Sequence, residues 1–130
     1  MPIIVSLDEE VPNVVIGAFV GNWTWDEYQR TMSQGLEFAE SLTGRVDQVI
    51  DLSKTLSVPK GIPHIHIKRG REIPIPTADG ITLQIGTPNH VRLLYRILTS
   101  NQLDESVLNV MPDMAAARQY ILKHRANSLG

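Results

Sequence analysis

Eight residues, Val46-Asp47-Gln48-Val49-Ile50-Asp51-Leu52-Ser53, constrain this chain more than any other stretch. The run is aliphatic, rich in β-branched residues, and follows a helical pattern that stops at Gly44. A compact apolar run of this length between turn signals predicts a buried strand. Near-continuous apolar strands belong to parallel sheets with helices laid over them. The run turns polar at Asp51-Leu52-Ser53. In open α/β sheets that carboxyl end is where ligands and partners meet the chain.

The 130 residues, 42% of them hydrophobic, suit a single domain over 1–130 with one core. The chain has no cysteine, which excludes disulfides, thiolate metal sites and cysteine nucleophiles and fits a reducing cytoplasm. A net charge of −2 offers no general attraction for nucleic acid or an acidic membrane. No apolar run approaches the length of a membrane span. Met1-Pro2-Ile3-Ile4-Val5 has neither a basic segment nor a small-residue cleavage site, so no secretory leader is expected.

Ile3 to Leu7 predicts a first strand, and Val14 to Val20 a second, hairpin-paired with it across the turn residues Asp8 to Asn13. Thr24-Trp25-Asp26-Glu27 is a capping box, with two carboxylates suited to the positive end of a helix dipole. From there to Thr43, Trp25, Tyr28, Met32, Leu36, Ala39 and Leu42 recur at helical spacing and predict the buried stripe. Gly44 suits the left-handed C-terminal position. Lys54 to Pro63 reads as a loop. The stretch from Ile62 to Glu72 alternates like a strand through His64-Ile65-His66-Ile67, while the step from Ile62 to Ile65 suits a short helix. Ile81 to Ile85 predicts a strand, and Val91, Leu94, Tyr95 and Leu98 a helix capped at Asn89. Ser106 to Val110 is a last short strand, and Pro112-Asp113 opens a closing helix with Met114, Ala117, Ile121 and His124 inward. Strands alternating with helices imply an α/β fold, a mostly parallel or mixed sheet of four to five strands covered by helices.

This order resembles a STAS-like domain, the fold of bacterial anti-sigma-factor antagonists. More narrowly, it resembles the divergent stand-alone proteins compared with CRAL-TRIO lipid carriers. The resemblance rests on Gly21 to Tyr28, on Val49-Ile50-Asp51-Leu52-Ser53, on the strand from Ile81 to Gly86 before a helix, and on Met111-Pro112-Asp113-Met114-Ala115-Ala116-Ala117. It implies a helix over Ile62 to Glu72. Signalling members carry an Asp-Ser pair a few residues beyond Asp-Leu-Ser, whose serine is phosphorylated. Here Pro59-Lys60 stands at about that place, so the resemblance implies a lost phosphoswitch.

Several residues invite a chemical reading. In a strand, His64 and His66 would share a face at a spacing metals use, but as a helix they diverge, and no metal is expected. Lys60, His64, His66, Lys68, Arg69 and Arg71 form a basic cluster in a mildly acidic chain, suited to an acidic partner or a headgroup, or simply to solvent. Gly86-Thr87-Pro88-Asn89 lacks a phosphate fingerprint and reads as a capped turn. Asp51 is expected to bond local backbone, not to catalyse. Trp25 is expected in the core, with Trp23 open between core and interface.

The expectation is a non-enzymatic, cytoplasmic, bacterial-type interaction or regulatory module without a cofactor, with a protein partner and a possible homodimer. Its contact surface would gather Asp51, Ser53, Ser57, Lys60, His64, Lys68, Arg69 and Arg71. The alternative is a small-ligand or lipid carrier with a pocket under the 58–76 segment.

Overall fold

The computed structural model describes residues 3–59, 77, 79–98 and 108–129. Five strands form one sheet in the order β1 (Ile3–Leu7), β2 (Val14–Asn22), β3 (Asp47–Ser57), β4 (Thr82–Ile85), β5 (Val110–Met111). β1 and β2 pair antiparallel as the expected hairpin, and the remaining pairs are parallel. Helices α1 (Trp25–Glu40), α2 (Pro88–Leu98) and α3 (Met114–Leu129) pack on this mixed α/β sheet.

The period of two along each strand divides the apolar residues between two cores. On one face Ile3, Phe19 and Leu52 meet Val91 and Leu94 of α2, with Trp23 and Val58. Trp25 and Tyr28 of α1 pack against this cluster. On the other face Val14, Val49, Leu83 and Ile85 meet Ala117 and Ile121 of α3, as the sequence predicts for that helix.

α1 begins at the predicted cap, where the Thr24 hydroxyl accepts the Glu27 N–H at 3.2 Å. The Glu27 carboxylate accepts from the Thr24 hydroxyl (3.1 Å), not from the cap backbone as a regular capping box would have it. The buried stripe is rotated from the expected one. Thr31 and Gly35 are the buried residues, while Met32 is 37% exposed. Small residues on that line let the helix axis approach the sheet closely. Thr31 tolerates burial because its hydroxyl donates back to the Glu27 and Tyr28 carbonyls, both at 2.9 Å. Gly44 is left-handed (φ 81°) but sits in the turn before β3. The helix closes earlier, at Ser41, whose N–H bonds the Glu37 and Phe38 carbonyls.

Three further boundaries differ from the sequence reading. α2 is capped by Thr87, which accepts the His90 N–H at 3.3 Å, with Pro88 at the first helical position where its missing N–H is harmless. The side chains of 95 and 98 lie outside the described set. Among the described residues the last strand is Val110–Met111, with 106 and 107 of the expected one outside the described set. Before it, the buried Gln84 accepts the Asn109 N–H through its side chain (2.8 Å) and donates its own N–H to the Asn109 carbonyl (2.9 Å). β3 does not end at Ser53; it runs on to Ser57.

Gly86 joins β4 to α2 at φ 139°, and a Cβ there would sit 3.1 Å from the Leu52 carbonyl carbon and Cβ. Backbone strain and overpacking act together at such a position. Gly86→Ala is expected to lose about 2 kcal/mol or more of unfolding free energy. A urea titration checks this by a lower midpoint at unchanged slope.

Candidate functional site

The carboxyl ends of the parallel strands form the edge on which the sequence places its contact surface. β3 pairs with β4 only from Gln48 to Asp51, whereas its pairing with β2 continues to Ser57. Two register shifts make the extension. Ala18 and Val20 oppose Asp51 and Lys54, and Gly21 and Asn22 oppose Thr55 and Ser57, so β3 carries an extra residue at each shift. Such bulges bend a strand and raise its twist.

At the first bulge Asp51 accepts the Ser53 N–H at 2.9 Å, the local backbone bond expected of it, although the strand passes through and does not terminate there. Thr55 is buried, and its hydroxyl donates to the Phe19 carbonyl at 2.9 Å. Its oxygen therefore serves the β2–β3 contact. Ser57 is exposed and donates to the Asn22 side-chain carbonyl at 2.8 Å. Ser53 and Lys54 are exposed, and Leu56 is 71% exposed. Asp51 and Ser57 lie about 20 Å apart at the usual rise per residue, so this is a strip and not a pocket. Lys60, His64, Lys68, Arg69 and Arg71, with His66, lie outside the described residues, as does the strand-or-helix question over Ile62 to Glu72. Among the described residues no cluster of His, Asp and Glu is arranged to hold a metal ion.

Behind this edge Phe19, Trp23, Trp25 and Tyr28 form an aromatic cluster. Trp23 meets Phe19 at 4.9 Å and Trp25 at 5.2 Å, both edge to face. Trp23 is 3% exposed, which places it in the core with Trp25 packed against it. The indole N–H groups of Trp23 and Trp25, and Oε2 of Glu27, are buried with no hydrogen-bond partner among the described residues. Edge-to-face packing turns the positive rim of one ring toward the π face of the next, an electrostatic contact weaker than a hydrogen bond.

The opposite end of the sheet holds a polar cluster that periodicity did not reveal. Asp47 opens β3 and is fully buried. Its carboxylate accepts from Arg45 Nε and Nη2 (3.1 and 3.0 Å), from Arg125 Nε (2.8 Å) and from the Ile81 N–H (2.8 Å). Arg125 also donates to the carbonyls of Pro12 and Asn13, at 2.8 and 3.2 Å. Arg45 Nη2 lies 2.9 Å from His124 Nδ1, and His124 stacks on Tyr120. A carboxylate with this many donors has no lone pair left for proton transfer, so the cluster clamps α3 to the sheet. The signal in the sequence was a charged residue inside an aliphatic run, with arginines one turn of chain or one helix away.

A second clamp ties α3 to the hairpin. Arg118 Nη2 and Asp8 Oδ1 are 2.8 Å apart, with Arg118 Nη1 also 3.1 Å from Glu10. The Arg118 hydrogen bonds hold the Asp8 carboxyl below its ordinary range, against an opposing push from burial and with help from the Val11 N–H. The same pairing raises Arg118. At exposed Asp79, a hydrogen bond from the Thr77 hydroxyl (2.7 Å) lowers the carboxyl.

Removing the Asp47 carboxylate leaves two guanidinium groups and an amide without their shared acceptor. Asp47→Ala is expected to lose about 3 kcal/mol or more, read from chemical denaturation at pH 7. Asp8 supplies a pH signature. Its folded pKa lies below the unfolded one, so its contribution is complete above about pH 4 and disappears as pH falls through the folded value. Asp8→Asn should be less stable than the parent at pH 7, with the difference closing on acidification below about pH 4. A difference constant with pH would place the effect elsewhere.

Compared with family models, with curated proteins and with solved structures, the chain gives no match.

Proposed function

We propose that this chain is a STAS-like protein-interaction or regulatory module with a lost phosphoswitch, acting in the bacterial cytoplasm and meeting its partner through the projecting half of β3. The observation that carries the reading is Leu56, a large apolar side chain 71% exposed on a strand end that β2 holds in place. Ser53, Lys54 and Ser57 flank it with exposed polar groups, and the basic residues Lys60, His64, Lys68, Arg69 and Arg71 follow next in the chain. An apolar centre within a polar rim is the usual anatomy of a contact surface. Charge complementarity then selects an acidic partner. The hairpin-first mixed sheet supports the resemblance, and Pro59-Lys60 at about the place of the phosphorylated serine supports loss of the switch. Among the described residues no helix is long and apolar enough to cross a membrane.

The alternative of a small-ligand or lipid carrier draws on one observation. Val58, where the 58–76 segment begins, shares a core with Trp23, against which Trp25 packs, and the indole N–H groups of both tryptophans, like Glu27 Oε2, have no hydrogen-bond partner among the described residues. A ligand offering both an acceptor and a donor would match them. Native mass spectrometry separates the readings, since a carrier purified without added ligand retains an extra mass of metabolite or lipid size.

Two variants test the module reading. Lys54→Glu with Leu56→Glu, and Lys68→Glu with Arg69→Glu and Arg71→Glu, should each abolish capture of an acidic partner that the parent retains. Changes at Lys54 and Leu56 alter exposed groups, so the melting temperature should stay within about 2 °C of the parent. Undiminished capture by both variants would sink the reading.

A further inference from the structure

β1 is an edge strand, and the hairpin fixes which of its main-chain groups point away from the sheet. β1 residues oppose β2 residues from Ile3↔Phe19 to Leu7↔Val15. One step further on, the Asp8 N–H bonds the Val14 carbonyl at 3.0 Å. Opposed residues in an antiparallel pair alternate between hydrogen-bonded and non-hydrogen-bonded. Asp8 is therefore in phase with Ser6 and Ile4, which bond inward to Ile16 and Ala18. Ile3, Val5 and Leu7 direct their N–H and C=O groups outward, where no strand pairs with them among the described residues.

Edge strands are ordinarily blunted by a charge, a proline, a bulge or brevity. β1 has none of these devices: its five residues, Ile-Ile-Val-Ser-Leu, are uncharged and regularly paired. Ile4 is 52% exposed and Leu7 37% exposed. A groove of about 410 Å³ runs beside the strand, lined by Val5, Gln34, Glu37, Phe38 and Ser41. At the other margin of the sheet β5 has two residues.

We propose that β1 is a strand-addition interface whose occupant is β1 of a second copy, joined antiparallel about a two-fold axis at Val5. The outward set is self-matching. Val5 opposes Val5, Ile3 opposes Leu7 and Leu7 opposes Ile3, so every outward N–H and C=O of the three residues finds a partner. An isologous contact of this kind closes on itself and leaves no further edge to propagate. Opposed residues share a face, so the second Val5 extends the apolar floor beside Phe38 and the groove under α1. Exposed Leu7 is covered by the partner's Ile3 position, and Ile4 lies beside the partner's Ser6 position. A foreign peptide would bond the same edge through the spacing common to all strands, but a second copy also sets Ile3, Val5 and Leu7 against an apolar row of the same composition. This interface lies on the β1 margin, with β2 between it and β3, and does not depend on what the β3 projection binds.

Size-exclusion chromatography with light scattering, together with amide hydrogen exchange on the parent protein, tests the proposal. The parent should run at twice its 14.5 kDa, with the Val5 and Leu7 amides protected alongside Ile4 and Ser6. Val5→Pro removes an outward N–H, which a strand edge tolerates, and Leu7→Lys places a charge at the contact. Each should give a folded monomer in which the Ile4 and Ser6 amides remain protected. A parent still monomeric at about 100 μM, where any dimer with a Kd in the low micromolar range or below would be populated, would overturn the proposal. So would a dimer whose Val5 and Leu7 amides exchange freely, or one that survives Leu7→Lys unchanged.

Discussion

The fold hangs on a buried carboxylate. Asp47 sits at the first residue of the central strand, fully enclosed, and its oxygens reach α3, the approach to β4 and, through Arg125, the hairpin turn. Taking a carboxylate and parts of two guanidinium groups out of water costs several kcal/mol per ion, which the hydrogen bonds must offset. The return is registration. A slip of β3 by one residue would turn Asp47 to the opposite face of the sheet, at the level of buried Val15 and Val46 and away from the guanidinium groups of Arg45 and Arg125. Apolar residues on both faces of β3 would tolerate such a slip far better. The buried charge therefore removes an ambiguity that a nearly continuous aliphatic strand leaves open.

With β3 pinned at its start, its irregularities accumulate at its end. The first pairings with β2 are regular from Val14↔Asp47 to Ala18↔Asp51, and both register shifts follow. Each shift lengthens β3 relative to β2, and β4 stops at Ile85, opposite Asp51. Gly86 then packs directly on Leu52, steering the chain into α2 and away from the rest of β3. The exposed strip from Ser53 to Ser57 results from these features in sequence: a fixed start, two bulges, and a neighbour that turns away.

The element order, the hairpin, the buried central strand and the inward residues of α3 were legible because hydrophobic period reports which face is covered. What the period missed has specific causes. Small and self-bonded residues bury without looking apolar, so the α1 stripe runs through Thr31 and Gly35 and not through Met32. Bulges have no apolar signature, so Lys54, Thr55, Leu56 and Ser57 read as loop although they are strand. Side-chain amides can stand in for a ladder, so Gln84 holds Asn109 where a strand was expected. At the candidate surface, Asp51, Ser53 and Ser57 fall on the expected strand end, yet spread along it. The Asp47 cluster joins residues 78 positions apart through charge, which no local pattern records.

Polar capacity is spread unevenly over the molecule. Asp8, Asp47, Thr31 and Thr55 sit in bonded arrangements that leave their oxygens engaged, and Asn13 spends its amide on the carbonyls of Thr43 and Arg45. Groups so engaged hold the structure and are poor instruments for recognising anything else, because a new contact must first break an old one. Apart from the buried indole N–H groups of Trp23 and Trp25 and Oε2 of Glu27, two exposed features among the described residues stand open: outward main-chain groups of β1, and the apolar side chain of Leu56 on the free end of β3. Both belong to strands, and both are held by a sheet that need not rearrange to present them. A surface built this way recognises through backbone spacing and shape, with little entropy lost on contact. Under the proposed module reading, the basic residues that follow Pro59 in the sequence would act on partner choice and encounter rate, which is where long-range charge has most effect.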